Sequence, residues 1–181
     1  MKHKYDLATM FADCFLFQHF KLEDYDAVKS LLQWQHVPAG EYIFHEDDIY
    51  SGFYLLCDGQ VEIVKRSLVD KTTERTLSVL GKGEIFGELA LFLPNGRRSA
   101  SAKTTLETDC CFLPCETFDK LLEENAPVAN KIVLAVAKSL SERLDEVTKN
   151  ALLLSECNVD NNNNTQDILK FKQQLATLWS F

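Results

Sequence analysis

Short stretches of strand-forming residues follow one another between residues 38 and 115, and turn-forming residues separate them. The stretches are Tyr42–Phe44, Phe53–Leu56, Gln60–Val64, Arg75–Leu80, Ala100–Thr105 and Cys110–Leu113. The intervening turn signals are Pro38–Gly40, Asp58–Gly59, Gly81–Gly83 and Pro94–Gly96. Short strands at such close intervals are typical of a barrel or a jelly-roll, in which tight turns join neighbouring strands. We therefore predict a mainly β fold, a double-stranded β-helix or β-roll over about residues 38–115.

Helical periodicity flanks the predicted strands on both sides. Residues 1 to about 37 are predicted to form short helices, since apolar residues recur there at helical spacing. Those residues are Tyr25, Val28, Leu31 and Leu32. After the strands, Phe118 lies in a short predicted helix, and Ala126-Pro127 opens a longer one with proline near its first turn. We expect these C-terminal helices over about residues 116–157, as part of one domain with the roll.

The longer predicted helix carries an apolar seam with spacings of 4, 3, 4, 3, 4 and 3 residues. Its members are Val133, Ala137, Leu140, Leu144, Val147, Ala151 and Leu154. A seam of this period over about three heptads is typical of a coiled coil. The sequence thus favours a parallel homodimer through this helix, and packing of the helix on its own domain is the alternative.

The end of the chain differs in composition from the rest. Residues 158–166 are rich in asparagine and are predicted to be a polar linker. Asp167 is suited to cap a last amphipathic helix over 167–181, whose role stays open. Only 27 residues follow Leu154, so we expect no helix-turn-helix DNA-binding domain after the long helix.

Charge and composition narrow the class of function. The chain has 181 residues and a formal net charge of -8, which disfavours a broad nucleic-acid or anionic-membrane surface. No apolar run is long enough to span a membrane, and no signal-peptide core follows the positive start. We therefore expect a cytoplasmic protein. Its six cysteines are then predicted to be reduced, and we interpret them as small buried hydrophobic residues.

The sequence contains no motif that indicates a catalysed reaction or a metal cofactor. The four histidines never fall at the spacing of a metal site, and His45–Asp48 is interpreted as a solvated turn. The sequence shows neither the serine, histidine and aspartate order of a catalytic triad nor a phosphate-binding P-loop. We expect a non-enzymatic protein without metal or cofactor.

The segment Gly83–Ala102 is the most informative stretch of the sequence. Gly87 lets the backbone approach a ligand closely, and the next four residues can form one helical turn. Arg97 and Arg98 then lead into a strand of small residues. Glu88 and Arg98, ten residues apart, can converge on one molecule, the carboxylate accepting from a hydroxyl and the guanidinium donating to a phosphate.

This segment resembles the phosphate-binding cassette of the cyclic-nucleotide-binding family, which includes the catabolite activator protein and the regulatory subunits of cyclic-AMP-dependent protein kinase. Phe86–Leu91 and Arg98–Ala100 match the family pattern with a loop of family length. The resemblance extends over about residues 12–155. It departs at Asp47, where the family often has glycine, and we expect the turn to survive because aspartate tolerates left-handed geometry.

The resemblance implies particular roles for the cassette residues. Glu88 matches the residue that accepts from the ribose 2′-hydroxyl, and Arg98 matches the one that pairs with the cyclic phosphate. Because serine and alanine follow Arg98 as in the family, we favour it over Arg97, which is predicted to be solvated. The implied ligand-binding residues are Phe86, Gly87, Glu88, Leu89, Ala90, Arg98, Ser99, Ala100, Arg143 and Leu144.

The implied function is that of a sensor of a cyclic purine nucleotide, which passes occupancy through its C-terminal helix to a protein effector. Family members that prefer cyclic GMP tend to have threonine or serine at the position of Ser99, but the activator protein also has serine there and responds to cyclic AMP. The register of Arg143 and Leu144 against the helix of the activator protein favours cyclic AMP over cyclic GMP. Two alternatives stay open: a ligand-free interaction module with a structural Glu–Arg pair, and the sensor half of a truncated transcription regulator.

Overall fold

Two four-stranded antiparallel sheets form the roll in the computed structural model, which describes residues 14–49, 52–67, 70 and 73–157. Their strands are β1 Gln33–Val37, β2 Tyr42–Phe44, β3 Gly52–Asp58, β4 Val61–Arg66, β5 Glu74–Leu80, β6 Ile85–Phe86, β7 Ser101–Thr104 and β8 Thr108–Pro114. The order is β1-β8-β3-β6 in the first sheet and β2-β7-β4-β5 in the second. The β-roll fold predicted from the sequence is confirmed.

Helices flank the roll on both sides, as the sequence predicts. Helix α1 spans Leu22–Lys29, α2 spans Cys115–Glu124 and α3 spans Ala126–Cys157. The chain divides into two compact units between Val136 and Ala137, within α3. The linker expected at 158–166 and the helix expected at 167–181 lie outside the described residues. None of the helices within the described residues has the length and apolar content that a membrane crossing requires.

The core lies between the two sheets and draws side chains from both. It contains Phe44, Tyr54, Leu56, Val61, Leu80, Phe86, Ala102, Cys110 and Phe112. Strand β3 is buried on both faces because helix α2 covers the outside of the first sheet, where Phe53 packs edge-on against Phe118. This explains why Phe53–Cys57 has no polar alternation, whereas the edge strand β5 is exposed over most of its length.

One strand corrects the sequence-based prediction. Residues 33–37 form β1, paired antiparallel with β8, although the sequence places them at the end of a helical region. This strand is short and only partly buried, so its apolar periodicity is weak. Its conformation is decided by hydrogen bonds to β8, which lies more than 70 residues later. The roll therefore begins at Gln33 rather than near residue 38.

Four of the cysteines are buried as expected: Cys14, Cys57, Cys110 and Cys111. Cys115 is half-buried at the start of α2. Burial raises the pKa of Cys14 and of Cys110 to about 12, so both stay thiols near neutral pH. The Cys57 and Cys111 sulfurs lie 3.5 Å apart on neighbouring strands, and this contact and burial raise the pKa of Cys57.

A partly buried ion pair joins the first and last helices of the roll. Asp24 on α1 accepts hydrogen bonds from the Lys131 ammonium on α3 and from the backbone N–H of Lys21. Burial by itself raises the pKa of Asp24, but these hydrogen bonds outweigh it and hold the pKa below its ordinary value. The carboxylate is therefore charged at neutral pH and links α1 to the start of α3.

The residues that helix α3 buries in its first turns are different from those of the predicted apolar seam. The buried residues of the first turns are Val128, Ala129, Ile132, Ala135 and Val136, and none belongs to the seam. Among the seam residues whose side chains are described, Val133 and Leu140 are half-buried and Ala137 is exposed. Leu144 is 50% exposed and Val147 is 64% exposed. The structure describes no side chain for Ala151 or Leu154.

Candidate functional site

The cassette begins where strand β6 ends at Phe86. Gly87 follows with a φ of +75°, in the left-handed region, and Glu88–Leu91 then form a single 3₁₀ turn. The N–H of Ala90 closes this turn on the carbonyl of Gly87 at 3.2 Å. The helical turn expected after Gly87 is therefore present.

Gly87 is required by space as well as by its backbone geometry. A Cβ atom at this position would lie 2.5 Å from Nη1 of Arg98 and 3.3 Å from the Phe44 ring. Both distances are shorter than ordinary van der Waals contact. The added Cβ atom would therefore collide with the buried guanidinium of Arg98. Only glycine fits between the turn and the arginine without displacing one of them.

Arg98 is the largest buried side chain of the segment, with 2% of its surface exposed. Its Nη1 atom donates to the carbonyl oxygens of Gly52 at 2.6 Å and of Gly87 at 2.8 Å. The guanidinium carbon lies 4.2 Å from the centroid of the Phe44 ring and 5.6 Å from that of Tyr54. These contacts fix the plane of a buried cation, which by itself is costly to desolvate.

The two consecutive arginines have opposite environments. The Arg97 side chain is 64% exposed and forms an ion pair with Asp47, so its predicted solvation is confirmed. The Arg98 backbone is held by two hydrogen bonds, from its N–H to the carbonyl of Asp48 and from the N–H of Asp47 to its own carbonyl. The alternation of the chain then directs Arg98 into the roll and Arg97 away from it.

The predicted cassette residues lie together around this arginine. Glu88 is 3% exposed, and Phe86, Ala90 and Ala100 are also buried. Ser99 is half-buried, and its carbonyl accepts from the Lys65 ammonium at 2.9 Å. Leu89 is partly exposed on the outer side of the 3₁₀ turn. A buried carboxylate and a buried guanidinium in one segment can bind a ligand that carries both a hydroxyl and an anionic group.

Two predicted residues lie elsewhere in the chain. Arg143 and Leu144 are on helix α3, beyond the boundary between the two compact units; Arg143 is half-buried and Leu144 is exposed. Within the described residues, no group of three or more histidine, cysteine or acidic side chains is placed to hold a metal ion.

Several neighbours of Arg98 were not predicted from the sequence. The Phe44 and Tyr54 rings lie near the guanidinium, and Gly52 provides a carbonyl acceptor from the start of β3. These residues lie 44 or more positions before Arg98, so no local spacing connects them with it. The structure requires glycine at position 52, because a Cβ there would lie 2.5 Å from the Phe112 ring, but a single glycine in the sequence does not indicate that requirement.

Comparison with known proteins defines the class to which this fold and site belong. The family model of the cyclic nucleotide-binding domain matches residues 34–125. The cyclic AMP receptor protein of Thermus thermophilus is 35% identical over 127 residues, which are 70% of this chain and 57% of that protein. The chain therefore belongs to the cyclic nucleotide-binding domain family, as its resemblance implied.

Solved structures agree with this assignment. The catabolite activator protein of Thermus thermophilus superposes with a TM-score of 0.66 at 34% identity, covering 78% of this chain and 63% of that one. The regulatory domain of Toxoplasma gondii PKA, crystallised with cAMP, gives a TM-score of 0.55 at 29% identity, over 63% and 42% of the two chains. The chain thus spans a little over half of its curated relative's length.

Proposed function

We propose that this chain binds a cyclic purine nucleotide, cyclic AMP in preference to cyclic GMP, as a regulatory sensor rather than as an enzyme. The observation that carries the proposal is the burial of Glu88 and Arg98 in one cassette of this family. The carboxylate has the chemistry to accept from a ribose 2′-hydroxyl. The guanidinium has the charge and the fork of donors that suit a cyclic phosphate.

The surroundings of Arg98 support an anionic ligand. The global charge of -8 repels an anion, so affinity has to come from local donors. The guanidinium is already desolvated by the roll and oriented by two carbonyls and an aromatic ring. A phosphate would add an opposite charge to a cation whose conformation is fixed before binding, which lowers the entropic cost of the complex.

The preference for cyclic AMP rests on the relatives and on the helix. The Thermus relative is named for cyclic AMP, and the Toxoplasma domain was crystallised with it. We further propose that Arg143 and Leu144 contact the base, as the family resemblance implies. Arginine can donate to a ring nitrogen or stack on a purine.

Competitive calorimetry with both nucleotides tests this proposal. We expect wild-type protein to bind both, with cyclic AMP bound more tightly, and Arg143→Ala to weaken both because a base contact is lost. A preference for cyclic GMP of about tenfold, equivalent to 1.4 kcal/mol, would contradict the assignment of the ligand. Unchanged affinities in Arg143→Ala would remove that residue from the site. Absence of binding by either nucleotide would instead favour the ligand-free interaction module.

We also propose that two copies of the chain pair in parallel along α3 and signal through it to a protein effector in the cytoplasm. The exposure of Leu144 and Val147 on an unbroken heptad seam supports this, since such a seam would otherwise leave apolar surface in water. The thiol state of the buried cysteines is compatible with a reducing compartment.

Val147→Glu is expected to dissociate the dimer because it places a charge in the seam of both helices. Wild-type protein at micromolar concentration should sediment at twice the chain mass of 20.6 kDa, and the variant at that mass. We expect the association constant of the dimer to fall by about 100-fold in the variant. The matched control is Lys149→Glu, which adds the same side chain two residues later on the outer face of the heptad. Wild-type protein that sediments as a monomer, with or without nucleotide, would contradict the proposal.

A further inference from the structure

The turn between β2 and β3 contains Asp47, a residue at which the sequence departs from the family pattern. Its φ is +76°, so the left-handed turn expected there is confirmed, although glycine is the residue that adopts this conformation at least cost. The Asp47 carboxylate accepts hydrogen bonds from Nε and Nη2 of Arg97, the Nε bond being 2.8 Å long, and from Nη2 of Arg66. These bonds are absent if glycine occupies the position.

The same turn pairs with the backbone that carries Arg98. The N–H of Asp47 donates to the carbonyl of Arg98 at 3.0 Å, and the N–H of Arg98 donates to the carbonyl of Asp48 at 2.9 Å. Ile49 and Arg97 form an isolated antiparallel bridge next to these bonds. Two features therefore hold Arg97 and Arg98 against the turn: a pair of backbone hydrogen bonds, and two side-chain hydrogen bonds from Arg97 to Oδ1 of Asp47.

The other side of this arrangement is anchored to strand β4. The N–H and Nε of Arg66 both donate to the Glu46 carboxylate, at 3.1 and 3.2 Å, and Arg66 also donates to Asp47. Hydrogen bonds from Arg97 are the main cause of the lowered pKa of Asp47, so its carboxylate is charged at neutral pH. Asp47 thus links the cassette to the end of a strand in the second sheet.

We propose that Asp47 is a positioning residue for the nucleotide site, which acts through Arg97 to hold the backbone of Arg98 in the geometry that binds the phosphate. This inference rests on the proposed function. Arg97 and Arg98 are adjacent, so fixing the exposed arginine also limits the movement of the buried one. A backbone that is ordered before binding does not have to be ordered by the ligand, and affinity increases accordingly.

A double-mutant cycle in cyclic AMP affinity tests whether Asp47 acts through Arg97. Asp47→Asn is suited to it because asparagine also tolerates a positive φ and removes only the charge. We expect Asp47→Asn and Arg97→Gln each to lower the affinity about three- to fivefold, and the double variant to lower it no further. The matched control is Asp26→Asn, which breaks the exposed pair with Lys29 on α1 and should leave affinity unchanged.

Two outcomes of the cycle would overturn the proposal. Additive losses would show that Asp47 and Arg97 act independently. A gain in affinity in Asp47→Asn would show that Asp47 holds Arg97 back from the ligand rather than positioning its neighbour. A merely structural role would lower the urea midpoint of the variants and leave their affinity for cyclic AMP unchanged. We expect instead that their affinity falls and their urea midpoint stays that of wild type.

Hydrogen exchange of the nucleotide-free protein separates this proposal from the proposed function. We expect the amide of Arg98 to exchange faster in Asp47→Asn than in wild type, and the control Asp26→Asn to match wild type. If this change is observed but wild-type protein binds no nucleotide, the proposed function fails and the link between Asp47 and the cassette stands. If nucleotide binds and neither exchange nor affinity responds to Asp47→Asn, the role of Asp47 is wrong.

Discussion

Replacing Arg98 by leucine is expected to abolish most of the affinity for cyclic AMP. The loss should be about 2–5 kcal/mol, or about 30-fold or more, because the phosphate loses its buried cationic partner. An apolar leucine side chain can pack against the Phe44 and Tyr54 rings, which both lie beside the Arg98 guanidinium, so we expect the roll to remain folded. The measurement is calorimetric titration at fixed ionic strength.

The controls for this variant separate charge from geometry. Arg75→Leu removes the same charge from the exposed edge strand β5 and should keep wild-type affinity. Arg98→Lys keeps the charge but lacks the planar fork, and it should bind weakly because lysine cannot donate to Gly52, Gly87 and a phosphate in one plane. A cooperative thermal transition that cyclic AMP no longer shifts would show that Arg98→Leu is folded. Wild-type affinity in Arg98→Leu would refute the role assigned to Arg98.

Gly87→Ala is expected to lose both stability and affinity. Alanine at a φ of +75° costs about 1–2 kcal/mol in backbone conformation, and its Cβ would also meet the Arg98 guanidinium at 2.5 Å. Displacement of Arg98 should lower the affinity for cyclic AMP about tenfold or more. Urea unfolding and calorimetry measure the two losses separately.

Gly40→Ala provides a matched control for that prediction. Gly40 has a φ of +87°, so alanine there has a similar backbone cost, but a Cβ atom would meet nothing within 4 Å. We expect Gly40→Ala to lose stability and to keep its affinity. If the two variants bind cyclic AMP equally well, the close approach of Gly87 to Arg98 has no part in recognition.

Local patterns in the sequence predicted much of the roll. Runs such as Phe53–Leu56 and Cys110–Leu113 are strands in the structure because burial on both faces selects continuous apolar residues. Asp47 adopts the expected left-handed turn, since its short polar side chain tolerates that conformation. Strand β1 was missed because its five residues are held by pairing with β8 and carry little periodicity of their own.

The order of residues in the cassette also predicted which side chains could serve a nucleotide. Glycine, glutamate and arginine each have a chemistry that is independent of the rest of the fold: conformational freedom, hydrogen-bond acceptance and a permanent charge. This is why the segment 83–102 is recognisable in the sequence by itself, and the family model matches a longer stretch, residues 34–125, that contains it.

Only the tertiary structure decided what surrounds those residues. The sequence places Arg97 and Arg98 side by side, and the pairing of their backbone with the turn at Asp47 buries one and exposes the other. Gly52 and Phe44 reach the Arg98 guanidinium from strands far earlier in the chain, and Asp47 reaches Arg97 in the same way. Contacts between residues 46 to 54 positions apart depend on how two sheets close over one core, and no local spacing records that closure.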